Sequence, residues 1–454
     1  MQVRTDAMTR KLFQYLSRHI TSFQLILLSF LAIILLGTFL LSLPVSSSSG
    51  EWTSPADALF TAASASCVTG LIVHDTATYW SLFGKIIIFL LIQVGGLGVI
   101  TCTILVIMFT GRQIGIRQRS LMMDAISAPQ IGGIIRFTRF ILKMTLAVEC
   151  LGAVLLLPVF IPRFGVLRGI GASVFHSVSA YCNAGFDLMG AESPYSSLTA
   201  FRGSVIINLV IPFLIITGGL GFLTWNDLFH QKYRIDRYSF QTKVILCTTA
   251  VLLVIPFAYF FLIEFSAEPL KERIMMSFFQ SVTPRTAGFN TADYSAMSET
   301  GLLITIFLML CGGAPGSTAG GVKLTTIFTL TAAAISDAGR KENVIAFGRR
   351  INDEIVRRAM CLLTIYLGLL LLGTCVLCSL ESISLSASMF ECASALGTVG
   401  LTTGITPSLS TASKLMLASY MYFGRVGGLT LAYAAITKHA RINARYPAGN
   451  LMIG

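Results

Sequence analysis

The chain has 454 residues, of which 54% are hydrophobic and only 12% charged, and it carries a net charge of +12. That balance excludes an ordinary soluble domain and makes the bilayer the solvent for most of the protein. The positive charge does not mark a nucleic-acid partner, because the basic residues are spread over short segments between apolar runs rather than gathered in one patch.

A basic amino-terminal stretch (Arg4, Arg10, Lys11, Arg18) leads into an apolar run from Phe23 to Leu43. The run is long enough to cross a bilayer and lacks a cleavage pattern, so it reads as the first transmembrane helix. Further long apolar runs near 80–110, 138–161, 203–225, 242–263, 301–333, 359–380 and 413–437 complete eight spans in four pairs. Between the members of each pair lies a shorter apolar helix, at 54–66, 169–182, 270–283 and 384–396, followed by a glycine turn. These helices are too short to cross and read as re-entrant pore helices. The first opens with Ser54-Pro55-Ala56-Asp57, the signature of a capped helix start.

Of the 33 Lys and Arg residues, 23 fall in the amino-terminal tail, around 112–143, 232–243 and 340–358, and from 438 on. The positive-inside rule makes those segments cytoplasmic, with both termini on that side. Acids such as Glu51, Asp57, Asp75, Glu264, Glu381 and Glu391 fall on the outer side, where they would concentrate cations. The expected fold is an all-α integral membrane protein of four fused helix–pore loop–helix repeats: eight transmembrane helices and four re-entrant pore helices around a central pore. The repeats are 23–110, 136–226, 241–335 and 356–438. Cytoplasmic linkers at 111–135, 227–240 and 336–355 join them, and tails at 1–22 and 439–454 flank them.

Each short helix leads to the same signature: Val68-Thr69-Gly70, Asn183-Ala184-Gly185, Thr286-Ala287-Gly288 and Thr398-Val399-Gly400, each followed by a bulky apolar residue. The glycines recur at gaps of 115, 103 and 112 residues, which marks one unit used four times. Irregular backbone at membrane depth must be buried in protein or line a water-filled path. Four such loops form a cation selectivity filter when their carbonyls replace hydration oxygens, and glycine permits the backbone angles this requires. The expected cation positions are the filter carbonyls of Gly70, Gly185, Gly288 and Gly400. No copy carries a second filter glycine, so fewer cation sites and weaker discrimination against sodium are expected than in a tetrameric potassium channel.

The second helices of the pairs carry a further glycine string. Gln93-Val94-Gly95-Gly96-Leu97-Gly98, Thr217-Gly218-Gly219-Leu220-Gly221 and Arg425-Val426-Gly427-Gly428-Leu429 read as close helix packing. The third is expanded into Gly312-Gly313-Ala314-Pro315-Gly316-Ser317-Thr318-Ala319-Gly320-Gly321, which cannot remain helical: glycine costs about 1 and proline about 3 kcal/mol relative to alanine. A broken helix below the filter is a gate. Arg425, central in the last apolar run, adds an electrostatic barrier to a cation path.

Arg285 immediately precedes a filter segment, and Glu391 is its expected partner. Glu149 lies alone in its span, either as a partner for a buried polar group or as a protonated carboxyl. Lys323 follows the glycine-rich loop without phosphate-loop spacing, which leaves contact with that loop as its role. Cys375 and Cys378 sit in an apolar run and read as packing, the five histidines share no ligand spacing, and no catalytic constellation emerges. The chain is therefore not expected to be an enzyme. An alternating-access cation symporter is the competing transport reading, and it requires an inverted repeat. Here every repeat begins and ends on one side.

With these motifs in place the chain resembles the Trk/Ktr/HKT superfamily of potassium transporters, closest to the KtrB type, over essentially its whole length. The first span begins near residue 23, without room for the amino-terminal hairpin of TrkH proteins. The resemblance implies that Gly70, Gly185, Gly288 and Gly400 are the filter glycines, that Gly312 to Gly321 form the intramembrane gating loop, and that Arg425 projects into the pore beneath the filter. It further implies potassium uptake, with sodium dependence as an added expectation, in the cytoplasmic membrane of a prokaryote. A homodimer is implied, each subunit with its own pore, on a cytosolic ring of KtrA subunits of the RCK type. ATP and ADP would bind that ring and not this chain.

Overall fold

The computed structural model describes residues 22–98, 101–102, 123, 133–191 and 193–428. The basic tails, most of the linker 111–135 and the end of the last apolar run lie outside the described residues. The described chain is almost entirely helical, with one two-stranded hairpin.

In chain order, α1 (Ser22–Ser42), α2 (Pro55–Cys67) and α3 (Leu82–Leu97) form the first set. The second contains α4 (Ile134–Phe164), α5 (Val166–Tyr181), α6 (Val205–Gly219) and α7 (Phe222–Gln231). The third contains α8 (Phe240–Tyr259), extended by a π turn at Phe260–Glu264, then α9 (Leu270–Val282), α10 (Glu299–Leu310) and α11 (Leu324–Ala338). The hairpin β1 (Ile345–Ala346) and β2 (Arg349–Arg350) leads into the fourth: α12 (Asp353–Glu381), α13 (Leu385–Gly397) and α14 (Thr411–Val426).

Among the described residues, four helices are long and apolar enough to cross a membrane: α1, α4, α8 with its π turn, and α12. Their outward faces remain apolar, with Leu36 and Phe39 on α1 and Leu371 and Leu372 on α12 exposed. A helix apolar all round has lipid or protein on every side. The expected partners of these spans do not run as continuous helices, and the glycine strings explain why. Helix α3 stops at Leu97, where Gly98 adopts φ +84°, and α14 stops at Val426, where Gly427 adopts φ +92°. Helix α6 stops at Gly219, and across Gly221, at φ +85°, the chain turns by 96° into α7.

The packing reading of these three strings therefore needs correction, since each string packs first and then breaks the helix. A methyl on Gly95, Gly218 or Gly424 would come within 2.2, 2.0 or 2.1 Å of the carbonyl oxygens of Ser66, Tyr181 and Leu396. Each of those carbonyls lies four residues before a signature glycine. A side chain is excluded there, and the left-handed glycine that follows ends the helix. The fourth string also shifts in register: Gly424, not Gly427, is the packing glycine, and Arg425 stands where the first two strings have Gly96 and Gly219.

The starts of three of the four second helices, α3, α10 and α14, are fixed by serine caps. Ser81, Ser298 and Ser410 accept hydrogen bonds from the backbone amides of Gly84, Gly301 and Ser413. Glu264 and Glu381, at the ends of the first helices of the third and fourth sets, accept from Ser298 N at 2.8 Å and Ser410 N at 2.9 Å. Ser54 departs from expectation: it precedes Pro55 at the helix start without a side-chain cap, and the early acid Asp57 turns to another partner.

Candidate functional site: a ring of four glycine turns

Each short helix ends in a left-handed turn of one form. The residue two before the glycine has positive φ in all four copies: Val68 (57°), Asn183 (59°), Thr286 (69°) and Thr398 (52°). The glycines follow at 96°, 68°, 81° and 94°. Left-handed backbone in a β-branched residue is strained by about 1–3 kcal/mol and persists only where surrounding contacts impose it.

Those contacts come from the helix ends. Val68 N donates to Ala65 O, Thr69 N to Ser64 O at 2.8 Å, and Gly70 N to Ser64 Oγ at 3.0 Å. The fourth copy repeats this bond for bond: Thr398 N to Ala395 O, Val399 N to Ser394 O at 2.8 Å, and Gly400 N to Ser394 Oγ at 3.0 Å. In the second copy Ala184 N donates to Ser179 O at 2.7 Å, and Ser179 Oγ donates to Phe186 O at 2.8 Å. Sequence reasoning missed these serines. The signal was present as a serine six residues before three of the four glycines.

The four turns meet as a closed ring. A methyl on Gly70 would sit 2.5 Å from Ala184 O, on Gly185 2.7 Å from Ala287 O, on Gly288 2.6 Å from Val399 O, and on Gly400 2.1 Å from Thr69 O. Every contacted residue immediately precedes the next glycine, so the ring runs in chain order and closes from the last copy onto the first. The Asn183 and Thr286 side chains also meet, at 3.1 Å. Val68, Thr69, Asn183, Ala184, Thr286, Ala287, Thr398 and Val399 are all buried.

A polar lock joins the first and last sets at the start of α2. Lys414 Nζ of α14 lies 2.9 Å from Asp57 Oδ1 of α2, and His74 Nε2 lies 3.4 Å from Asp57 Oδ2. The His74 ring stacks on Tyr79 at 3.9 Å. Burial pulls the His74 pKa below its ordinary 6.5; Asp57 opposes the shift and Lys414 adds to it. The folded protein thus holds this proton less readily than the unfolded chain, so stability drops as pH falls below 6.5, until the folded pKa is passed. Between about pH 7.5 and about pH 5, spanning the histidine range, the wild-type melting temperature is expected to fall further than that of His74→Phe. Parallel curves would remove His74 from the lock.

Residues 311–323 form the expected interruption between α10 and α11. The loop closes on itself through Gly312 N to Val322 O at 2.9 Å and Leu324 N to Gly313 O at 3.1 Å. Its outer bonds attach to the second glycine string: Ala314 N donates to Gly219 O at 2.9 Å, Thr318 N to Gly218 O at 3.3 Å, and Phe222 N to Gly316 O at 2.9 Å. Thr318 Oγ1 donates to Tyr181 O at 3.1 Å, and a methyl on Gly320 would lie 2.1 Å from Thr398 Oγ1. Pro315, Ser317, Ala319 and Gly321 complete the loop, with Ser317 Oγ donating to Ala314 O at 2.6 Å. Lys323 Nζ donates to Ala319 O at 2.8 Å, which is the loop contact its position implied.

Arg425 ties this loop to the first set. Its Nη1 donates to Thr318 O, and its Nη2 donates to Gly95 O and, at 3.3 Å, to Gly96 O. All three acceptors are backbone carbonyls. The expected pairing of Arg285 with Glu391 does not form. Glu391 is occupied by Thr402 Oγ1, by Thr403 N at 3.2 Å and by Thr406 Oγ1 at 3.0 Å. Arg285 is buried, and its Nε and Nη1 have no partner among the described residues. Glu149 has a polar partner: Gln93 Nε2 lies 3.2 Å from both of its carboxyl oxygens.

Glu391 braces the segment that follows Gly400. Its replacement by glutamine leaves one acceptor oxygen for three donors, a loss of about 2 kcal/mol. A lower melting temperature of purified Glu391→Gln is the expected result, and an unchanged one would mean that the brace carries no stability.

The match that decides the family covers residues 7–444 and is to the TrkH model, described as a cation transport protein. The chain belongs to the TrkH family of cation transport proteins. It is 41% identical over 448 residues to the potassium/sodium uptake protein NtpJ of Enterococcus hirae, covering 96% of this chain and 98% of that one. It is 37% identical over 438 residues to Ktr system potassium uptake protein B of Bacillus subtilis, covering 95% and 96%. In fold it is similar to the crystal structure of the potassium transporter TrkH from Vibrio parahaemolyticus, with TM-score 0.70 and 20% identity over 90% of this chain and 84% of that one. TrkH family members of this kind are membrane transporters and not enzymes.

Proposed function

We propose that this chain is the channel-like, ion-translocating subunit of a potassium uptake system in a prokaryotic cytoplasmic membrane, with both termini in the cytoplasm. The observation that carries the reading is the closed ring of four strained glycine turns, in which no glycine has room for a side chain. The four sets act as fused pore-loop repeats around one path. Potassium sheds its water against the carbonyls of the ring, and the segments around Gly70, Gly185, Gly288 and Gly400 form the selectivity filter. Residues 312–321 and Arg425 form the gate beneath it.

The names of the relatives support potassium as the cargo and sodium as a second ion of interest. A Ktr system also implies a regulatory partner, here a cytosolic KtrA-type RCK ring that binds ATP and ADP and meets the cytoplasmic loops of a homodimer. The test is potassium and sodium flux through reconstituted protein, with and without the ring and adenine nucleotides. Potassium flux that responds to the ring is the expected result. Flux of neither ion under any condition would end the proposal.

A further inference from the structure

Outside the ring, the third set encloses a cavity of about 590 Å³, within the roughly 300–1,000 Å³ of small-molecule sites. One wall is a stripe of α8 at four-residue spacing: Cys247, Val251 and Ile255. The other walls come from both sides of the interrupted helix, with Leu303 and Phe307 on α10 and Phe328 on α11. Val251, Ile255, Leu303 and Phe307 are exposed, so the cavity opens sideways to the hydrocarbon that surrounds α8.

One end of this apolar slot is basic. Lys243 stands one turn before Cys247 on the same α8 stripe, and its Nζ donates to Asp236 O at 3.0 Å, which leaves two of its three N–H groups for an anion. Phe347, at the tip of the β1–β2 hairpin, stacks on Phe328 with ring centroids 6.1 Å apart and meets Phe240 edge-on at 6.4 Å. The hairpin therefore caps the slot, and it brings the exposed Arg349 to the same end. An apolar groove open to lipid with cations at one end matches a molecule with a hydrocarbon tail and an anionic head.

We propose that this slot is a binding site for one anionic phospholipid, with an acyl chain between α8, α10 and α11 and the phosphate at Lys243 and Arg349. Because α10 and α11 flank residues 312–321, the lipid touches the helices on both sides of that loop. Any movement of the loop that shifts α11 against α10 alters the slot, so the lipid binds the two arrangements unequally and biases the gate. This consequence rests on reading 312–321 as the gate, whereas the binding site itself does not.

The test uses the full chain in two arms. In the first, native mass spectrometry after purification with mixed phosphatidylglycerol and phosphatidylcholine is expected to show one retained phosphatidylglycerol per chain. Val251→Trp, which fills the slot, is expected to abolish retention. Lys243→Gln with Arg349→Gln, at the water-exposed end, is expected to weaken retention about 30-fold while leaving the apolar walls intact. Equal retention of both lipids, or unaltered retention in either variant, would overturn the site, and so would a second copy of the chain found crosslinked across the slot.

In the second arm, potassium flux is measured in liposomes with and without phosphatidylglycerol. Wild-type flux is expected to depend on the anionic lipid and Val251→Trp flux to be indifferent to it. Lipid retention without any cation flux would sink the transport reading and spare the site. Normal flux with no lipid dependence would sink the coupling.

Discussion

Arg425→Gln is expected to raise potassium flux in the absence of the regulatory ring by at least about 10-fold, because hydrogen bonds from a charged donor contribute about 1.5–3 kcal/mol each. The wild-type guanidinium holds Thr318 O of the loop against the carbonyls of Gly95 and Gly96, so one side chain of α14 fastens the loop to the end of α3. Glutamine keeps much of the length but loses the charge and the fork of donors. On the proposed reading of Arg425 as part of the gate, removing the positive charge also lowers the barrier to a cation. Rubidium uptake into liposomes that hold purified protein gives the readout. Flux equal to wild type, with the loop equally protected from proteolysis, would show that Arg425 only braces the fold.

Gly70→Ser is expected to weaken apparent potassium affinity by about 10-fold or more, at roughly 1–3 kcal/mol for a strained backbone, while the yield of folded protein changes far less. Gly70 lies at φ +96°, and an added Cβ would fall 2.5 Å from Ala184 O. To relieve that overlap the first turn must draw back from the second, which displaces the carbonyls at a joint of the ring. The damage stays local because Ser64 continues to hold the Gly70 amide from below. The decisive comparison is uptake against external potassium concentration, alongside membrane yield. Equal affinity at equal yield would count against the ring as the place of ion recognition.

The ring was legible in the sequence because glycine is the residue that both allows positive φ and lacks a Cβ, and here both properties are used at one position. The residues two places earlier were not legible in the same way. Valine and threonine rarely adopt left-handed angles, and the bonds that fix Val68 and Thr398 there run from three successive backbone amides of each turn to Ala65 and Ser64 and to Ala395 and Ser394. The third glycine string was readable as a break because proline and five glycines together forbid a helix. The other strings concealed their breaks, since Gly98, Gly221 and Gly427 follow glycines whose role is packing and a small-residue motif serves both purposes.

Arg425 illustrates a different limit. Its acceptors are main-chain carbonyls of two separate segments, the 311–323 loop and the end of α3, and a carbonyl carries no residue identity to detect. The mistaken partner for Arg285 has a related cause. Glu391 is satisfied by Thr402, Thr403 and Thr406, a short hydroxyl-rich stretch downstream, and a sequence reading that looks for opposite charge overlooks neutral donors.

Closure of the ring by one chain also sets how finely it can be altered. In an assembly of four identical subunits, every substitution arrives four times and the whole coordination shell changes at once. Here Gly70, Gly185, Gly288 and Gly400 are separate positions, so a quarter of the proposed coordination shell can be changed while the rest is kept. Single, double and triple variants then form a graded series, from which the contribution of each side to ion discrimination can be measured directly.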